Sequence, residues 1–365
     1  MDAATQPVIS SARQSFFGRG ELPADQLPQP ILRSWLRCAE LGLDVESSPR
    51  IEPLSGASLR EACERHERLR RLSRPELDAL HSEAQATGGV VILTNGEGLL
   101  LDVVGDSGFA GRAAGVALRP GVVWSEASTG TNAIGAALAE RRPVAVHGGE
   151  HYFEPHGMLS CAAAPILDPR GAVAGILDLS GHASVAHTHA LGLVRMAVDQ
   201  IEHRFFDEGF EDCDVLRTHT DPALLGAARE GILVFRDDRL VAANRRGLEM
   251  VAAGWDSLDR TAFGDLFLER LSRLDALAQL RAPDGRLLHA RLCRAGRAGG
   301  QGAYHSPLGA APSTPETAAD IPSLRTVEAA VIEAALKAAG GNISLAARRL
   351  GVHRSTLYRH RAGKV

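Results

Sequence analysis

The sequence lacks the patterns that mark a zinc module, a disulfide-stapled domain, a membrane span or an ATP-binding loop. Its five cysteines are widely spaced and form no C-x-x-C pair, so neither a zinc knuckle nor a disulfide framework is predicted. No apolar run reaches the length of a membrane helix and no signal peptide is recognisable, so we expect a cytoplasmic protein without a membrane partner. No G-x-x-x-x-G-K-S/T run occurs, which leaves no Walker-type cradle for ATP phosphates.

What is present is the composition of a globular protein. The 365 residues are 45% hydrophobic and 23% charged, and they suffice for two or three domains. The net charge of −4 is unevenly distributed: residues 321–365 carry eight Lys or Arg and two Asp or Glu, which makes this segment +6 and the rest −10. A basic segment on an acidic body indicates that the chain binds nucleic acid through one end.

The residues from Asn342 to Arg361 predict a helix, a tight turn and a second helix. Asn342 can cap the first helix, and apolar residues up to Leu350 recur at helical spacing. Gly351 stands where the chain must turn. The second helix begins at about Arg354 and is rich in Arg, Thr and Tyr, which suits insertion into a major groove. The alternative interpretation is a solvated basic helix.

The run A-A-x-x-L-G-V-x-R-x-T-L-Y-R over residues 346–359 resembles the Fis-type helix-turn-helix of bacterial enhancer-binding activators. The resemblance implies base or phosphate contacts from Asn342, His353, Arg354, Thr356, Tyr358 and Arg359. Arg348 and Arg349, on the first helix, are expected to meet phosphates, and Ser355 and Arg361 complete the second helix. In Fis-type modules the preceding helix, here residues 324–339, forms the dimer. We therefore expect a homodimer on double-stranded DNA with a palindromic site.

The segment before the basic end has an α/β pattern. Helices are expected over residues 30–43, 58–86, 129–139 and 186–206, with strands at 89–94, 99–104, 143–147, 159–167 and 172–179. This order describes a GAF-like sensor domain. The strings at 34–44, 124–135 and 148–181 resemble the sensory region of regulators of the acetoin and glycerol catabolism type.

A third unit is similar to a PAS domain, with strands at 231–235, 239–243, 277–280 and 286–292. The predicted fold class is therefore α+β multidomain, with GAF-like and PAS-like antiparallel-sheet sensor domains followed by an all-α Fis-type helix-turn-helix. The domain limits are listed in chain order: a helical lead-in at 1–57 that is loose over residues 1–28, the GAF-like domain at 58–208, the PAS-like domain at 218–294, a flexible linker at 295–321, and the helix-turn-helix at 322–365.

Three kinds of site compete in the GAF-like segment. A small-molecule effector pocket is predicted from aromatic and hydrogen-bonding side chains, namely Trp124, Ser125, Thr129, Thr131, Asn132, His151 and Tyr152. The alternative is that Trp124 and the Thr cluster only fix the loop and cap a helix. A metal site from His147, His151, His156 and Cys161 is less favoured, because the spacing matches no tight metal loop. A Cys161–His151 nucleophile with Glu150 as orienting group is less favoured, because Cys161 begins an apolar strand. We expect no metal, no cofactor and no enzyme activity.

The family that this chain resembles places an AAA+ ATPase domain between sensor and helix-turn-helix. The phosphate loop of such a domain is missing here, so remodelling of sigma-54 polymerase by ATP hydrolysis is not expected of this chain alone. The resulting hypothesis is a signal-responsive DNA-binding transcription regulator without its own ATPase, with RNA polymerase or an ATPase-bearing relative as a further partner. Two alternatives stay open: a thiol or metal redox enzyme or sensor, and a modulator that dimerises with such a relative.

Overall fold

The computed structural model describes residues 5–47, 51–84, 88–105, 117–185, 189–282 and 284–296. The helices are α1 Thr5–Arg13, which continues as a π-helix to Gly18, α2 Gln29–Glu40, α3 Gly56–Arg65, α4 Glu67–Ala84, α5 Glu126–Thr129, α6 Ala133–Glu140, α7 Ala190–Arg204, α8 Arg245–Met250 and α9 Phe263–Leu266. The strands are β1 Val90–Asn95, β2 Leu100–Gly105, β3 Val144–His147, β4 Leu159–Leu167, β5 Val173–His182, β6 Asp214–His219, β7 Gly231–Arg236, β8 Arg239–Ala243, β9 Leu277–Arg281 and β10 Leu287–Cys293.

The first sheet has five antiparallel strands in the order β2-β1-β5-β4-β3, and both of its faces are covered. One face, which we call the inner face, carries Ile92, Cys161 and Ile176 and packs against α2 and the loops between β2 and β4. The other face packs against α4 and α7. Because both faces are buried, β1 and β4 consist almost entirely of apolar residues instead of alternating with polar ones.

The second sheet has the order β8-β7-β6-β10-β9, and α8 and α9 contribute to its own apolar core. Its middle strand, β6, was not predicted. The sequence D-V-L-R-T-H over β6 does not look like a buried strand, yet Arg217 is only 4% exposed there. Its guanidinium bonds to the Glu230 carboxylate at 2.5 Å and to the His203 ring at 3.0 Å, which satisfies the buried charge. The antiparallel sheets confirm the predicted fold class.

Three sequence predictions differ from the structure. The described part of the expected loose lead-in, residues 5–28, is not loose, because α1 buries Ile9 and Ala12 in the first core. The single helix expected over 58–86 is two helices that meet at His66. The helix expected over 129–139 is also two, because Gly130 adopts a φ of +64° between α5 and α6, a conformation that interrupts an α-helix.

The α1 segment is tied to the loop before β4 by one side chain. The Arg13 guanidinium donates to the carbonyls of Gly149, His151 and Tyr152 at 3.1, 2.7 and 3.0 Å. It also stacks over the Phe17 ring at 4.8 Å. The segment α1 is therefore packed as part of the first domain.

The predicted helix-turn-helix lies outside the described residues, as does the linker from residue 297 onward. Among the helices that the structure does describe, none combines the length and the apolar character needed to cross a membrane.

Candidate functional site

The loop that follows β2 is anchored to α2 by a buried carboxylate. Glu126, 7% exposed, accepts from both Nε and Nη2 of Arg37 at 2.7 Å, and Ser34 donates to it at 2.6 Å. These bonds to Glu126 raise the pKa of Arg37. The strings around residues 34–44 and 124–135, which carry the family resemblance, therefore bind each other across the inner side of the domain.

The polar residues of the 124–135 string are used within the loop. Ser125 caps α5 by accepting from the Ser128 N–H, and Asn132 caps α6 by accepting from the Gly135 N–H at 2.8 Å. Thr129 accepts a hydrogen bond from the Asn132 amide at 2.9 Å. The Thr131 hydroxyl oxygen lies 2.8 Å from the hydroxyl oxygen of Ser34. These contacts favour the alternative interpretation, in which the polar cluster fixes the loop and caps a helix.

The aromatic members of the predicted pocket are buried beneath this loop. The Trp124 indole donates to the Ala117 carbonyl at 3.1 Å and lies over the His156 ring at 4.9 Å. The Tyr152 hydroxyl donates to the Leu43 carbonyl at 2.8 Å. Of the predicted effector residues, His151 lines a cavity of about 550 Å³ that Arg13 and Phe153 also border. Direct effector contact by the seven residues stays a prediction.

The structure brings Cys161 and His151 together but not as a reactive pair. The Cys161 sulfur lies 3.6 Å from Nε2 of His151. Burial raises the pKa of the thiol well above its ordinary value and lowers the pKa of His151 to about 3, so both groups stay neutral. The Glu150 carboxylate accepts from the His147 N–H at 2.7 Å, while Nδ1 of His151 contacts the Gly148 carbonyl at 3.0 Å. Glu150 is therefore not the group that orients the imidazole.

The histidines do not form a metal centre with the thiol. Within the ranges that the structure describes, no group of three or more His, Cys, Asp or Glu side chains is placed to hold a metal ion. The His156 ring is 2% exposed, and burial lowers its pKa to about 4.

Two polar residues of β5 that sequence analysis did not single out lie on the inner face. Ser180 pairs across the strands with Cys161, and Asp178 with Ala163, so all four side chains share that face. The Ser180 hydroxyl donates to Asp178 Oδ2 at 2.5 Å. Burial raises the pKa of Asp178 to about 7. The available signal was a lone acid in the apolar run G-I-L-D-L-S-G.

Two buried polar atoms near this face lack partners. In the described part of the chain, neither Oδ1 of Asp178 nor Nδ1 of His156 has a hydrogen-bond partner. Buried polar groups in native proteins are nearly always hydrogen-bonded, so each of these two atoms is a candidate contact for a polar ligand. We call Asp178, Ser180, Cys161 and His156 the inner polar cluster.

The fold and these contacts define a class, a GAF-like sensory domain whose N-terminal helices close over its inner face. The chain belongs to the family of the MimR N-terminal domain, whose model matches residues 5–203. The model for the bacterial regulatory protein, Fis family, matches residues 323–362. The resemblances of the sensory region and of the Fis-type helix-turn-helix are thereby confirmed. The match to the sensory region begins at the first residue of α1.

Two relatives are similar to part of the chain. The acetoin catabolism regulatory protein of Cupriavidus necator is 33% identical over 229 residues, which are 60% of this chain and 34% of that protein. The propane 2-monooxygenase operon transcriptional activator MimR of Mycolicibacterium smegmatis is 33% identical over 230 residues, 62% of this chain and 36% of that protein. The chain thus spans about a third of the length of these relatives.

Among solved structures, a chain of the Escherichia coli DhaR(N)–DhaL complex aligns with a TM-score of 0.47 and 13% identity, covering 73% of this chain and 99% of that one.

Proposed function

We propose that this chain is a signal-responsive, sequence-specific DNA-binding transcription regulator of the cytoplasm that acts as a homodimer. The observation that carries the proposal is the Fis-family match over residues 323–362, which coincides with the basic segment of the sequence. A charge of +6 there against −10 elsewhere directs DNA to that segment. The relatives named above as a regulatory protein and a transcriptional activator support the same function.

The signal in this proposal is a small molecule held at the inner polar cluster. The unpartnered oxygen of Asp178 and the unpartnered nitrogen of His156 are suited to a ligand with hydroxyl donors, surrounded by the apolar inner face. The names of the relatives, which refer to acetoin and to a propane monooxygenase, support small oxygenated compounds as the class to be tested. The predicted residues His151, whose Nε2 lies 3.6 Å from the Cys161 sulfur, and Trp124, whose ring lies 4.9 Å from that of His156, would then border this ligand.

The thiol-enzyme alternative is disfavoured by the protonation states at Cys161. A nucleophilic cysteine needs a lowered pKa, whereas burial raises this one. A modulator that pairs with an ATPase-bearing relative remains compatible with the proposal, since a Fis-type segment supplies a dimerising helix in either case.

The DNA part of the proposal is tested by two arginine variants. Arg354 begins the predicted recognition helix, where a guanidinium can bond guanine O6 and N7, so Arg354→Ala should cost roughly 1–3 kcal/mol on the cognate site and little on scrambled DNA. Arg349→Ala, as a phosphate contact, should weaken both and flatten the salt slope by about one unit. The measurement is a set of titrations of cognate and scrambled duplex at two salt concentrations. Equal losses on both duplexes for Arg354→Ala would assign base recognition to His353, Thr356 or Tyr358.

The sensing part is tested separately by thermal shift with a panel of small alcohols, ketones and diols. A compound that raises the melting temperature should lose its effect in Asp178→Ala and keep it in Asp25→Ala, which removes an exposed carboxylate of the same domain. If the compound raised the melting temperature of Asp178→Ala as much as that of the wild type, the inner polar cluster would not be its binding site.

A further inference from the structure

A second cavity lies where the two sheet domains meet, away from the inner polar cluster. Its volume is about 790 Å³. The first domain contributes the start of α4 and the turns after β1 and β4, and the second domain contributes the end of β7 and part of β8. We call this cavity the interdomain cleft.

The walls of the cleft are held together by direct contacts. In the turn after β4, the Pro169 carbonyl accepts from the Ala243 N–H at 2.9 Å, and Arg170 donates to the Val241 carbonyl at 3.0 Å. Gly171, with a φ of +82°, lies against the Trp255 ring so closely that a Cβ there would be 2.4 Å from a ring carbon. A molecule in the cleft would therefore contact both domains at their packed joint.

The lining combines an apolar floor with a cationic rim. Phe205, Leu69 and Ala242 are buried at the floor, and Phe210 is partly exposed beside them. The charged lining residues are four arginines and two acids, namely Arg65, Arg68, Arg170, Arg236, Glu97 and Asp168. Arg170 is ion-paired with Asp259, and Arg68 donates to the carbonyls of Phe205 and Glu208, so Arg65 and Arg236 are the two rim cations left for a ligand.

In the described part of the chain, neither Glu97 nor Asp168 forms an ion pair with Arg65 or Arg236. Asp168 uses Oδ1 to accept the N–H groups of Arg170 and Ala172 in its own turn. Arg236, which is exposed at the end of β7, makes neither a hydrogen bond nor an ion pair with any described residue. Arg65 pairs with the exposed Glu61 on its own helix, a kind of pair that contributes little to stability.

We propose that the interdomain cleft binds an organic oxyanion, a carboxylate or phosphate head on an apolar body. A guanidinium group can donate two parallel hydrogen bonds to the oxygens of either head, and the phenylalanine floor provides the apolar surface that the body would cover. Arg65 on the first domain and Arg236 on the second would hold the head from opposite walls. The site does not depend on the DNA-binding proposal, and a ligand there would stabilise the packing of the two domains.

The test is isothermal titration calorimetry of the full chain with 2-naphthoate and 2-naphthyl phosphate as probes. Two control probes each lack one feature: 2-naphthamide lacks the charge of the head, and inorganic phosphate lacks the apolar body. At least one of the two naphthyl anions should bind roughly tenfold more tightly than either control, the equivalent of one charge-assisted hydrogen bond. The better of the two identifies the head group.

Variants on the two walls complete the test. Arg236→Gln and Arg65→Gln should each weaken the better anion by about three- to tenfold, and both are surface changes that leave folding nearly unaffected. Arg195→Gln removes the same charge from an exposed position of α7 outside the cleft, and it should leave affinity within about twofold. Absence of binding, equal binding of the amide, or equal affinities of the Arg236→Gln and Arg195→Gln proteins would overturn the proposal.

Discussion

Asp178 should make the stability of this protein fall between pH 5 and pH 8. Its carboxyl is 1% exposed on the inner face, and burial raises its pKa from 3.8 to about 7. Between these two values the folded state retains a proton that the unfolded state has lost. Each unit of pH in that window therefore lowers the free energy of unfolding, and the stabilisation present below pH 4 is lost by pH 7.

The size of the effect follows from the two pKa values. For a single group with these values, the free energy of unfolding falls by about 2.5 kcal/mol from pH 5 to pH 8. Asp178→Asn does not titrate, so the difference between the two proteins should change by that amount. The absolute difference at either pH also contains the cost of an amide beside the Ser180 hydroxyl, but this cost is the same at both.

Other buried groups titrate in the same range and must be separated from Asp178. Burial lowers the pKa of His151 to about 3 and of His156 to about 4, so their effect has the opposite sign: stability is lost as the pH falls below about 6.5. Burial raises the pKa of Glu150 to about 7, which acts in the same direction as Asp178. All three remain in the variant, so the comparison of the two proteins isolates the carboxyl of interest.

The assay is urea unfolding followed by tryptophan fluorescence at pH 5 and pH 8, for the wild type, Asp178→Asn and the exposed control Asp25→Asn. Asp178→Asn should gain about 2.5 kcal/mol relative to wild type on going from pH 5 to pH 8, whereas Asp25→Asn should follow the wild type. Parallel pH profiles for wild type and Asp178→Asn would refute the assignment of a raised pKa to this carboxyl.

Three further predictions concern the anchors of the fold and the missing phosphate loop. Arg37→Ala leaves the Glu126 carboxylate buried without its guanidinium and should cost about 2–3 kcal/mol in urea unfolding, against less than about 0.5 for Arg19→Ala in an exposed pair; equal costs would contradict the anchor. Gly171→Ala should cost roughly 2–3 kcal/mol, because its Cβ meets an indole ring, whereas Gly285→Ala, with a similar φ and open space, should cost about 1 kcal/mol. In a phosphate-release assay the purified chain should not hydrolyse ATP, and turnover that a substitution in this chain abolishes would refute this.

Much of the fold could be predicted from the sequence, because the spacing of apolar residues and the residues that form turns were clear. The bounds of β4 and β8 coincide with the predicted ones. The strand β4 is one nearly unbroken apolar run, and β8 ends where Asn244 caps the next helix. The strand β6 could not be recognised, because its buried Arg217 is neutralised by Glu230, a contact that depends on tertiary packing. The helix α1 was missed for a similar reason: its apolar residues are few, and Arg13 finds its three carbonyl partners about 136–139 residues away.

Effector contact by the seven predicted residues stays a prediction, and the unpartnered polar atoms near the inner face belong to other residues of the same domain. The polar string at 124–135 is conspicuous in sequence, and the structure uses its hydroxyls and amide for caps and for docking α2. The unpartnered groups near the inner face are Asp178, within an apolar strand, and His156, one histidine among several in a loop. Which buried polar atom lacks a partner is a property of the packed structure, and residue spacing does not reveal it.

The central claim, a DNA-binding regulator, is tested most directly by shortening the chain at about residue 320. Fluorescence anisotropy with duplex DNA from beside its own gene, and with a scrambled duplex of equal length, compares the full chain with the shortened one. We predict specific, salt-sensitive binding by the full chain, and none by the shortened chain, which should retain the melting transition of its two sheet domains. Unchanged affinity after the cut would contradict the account.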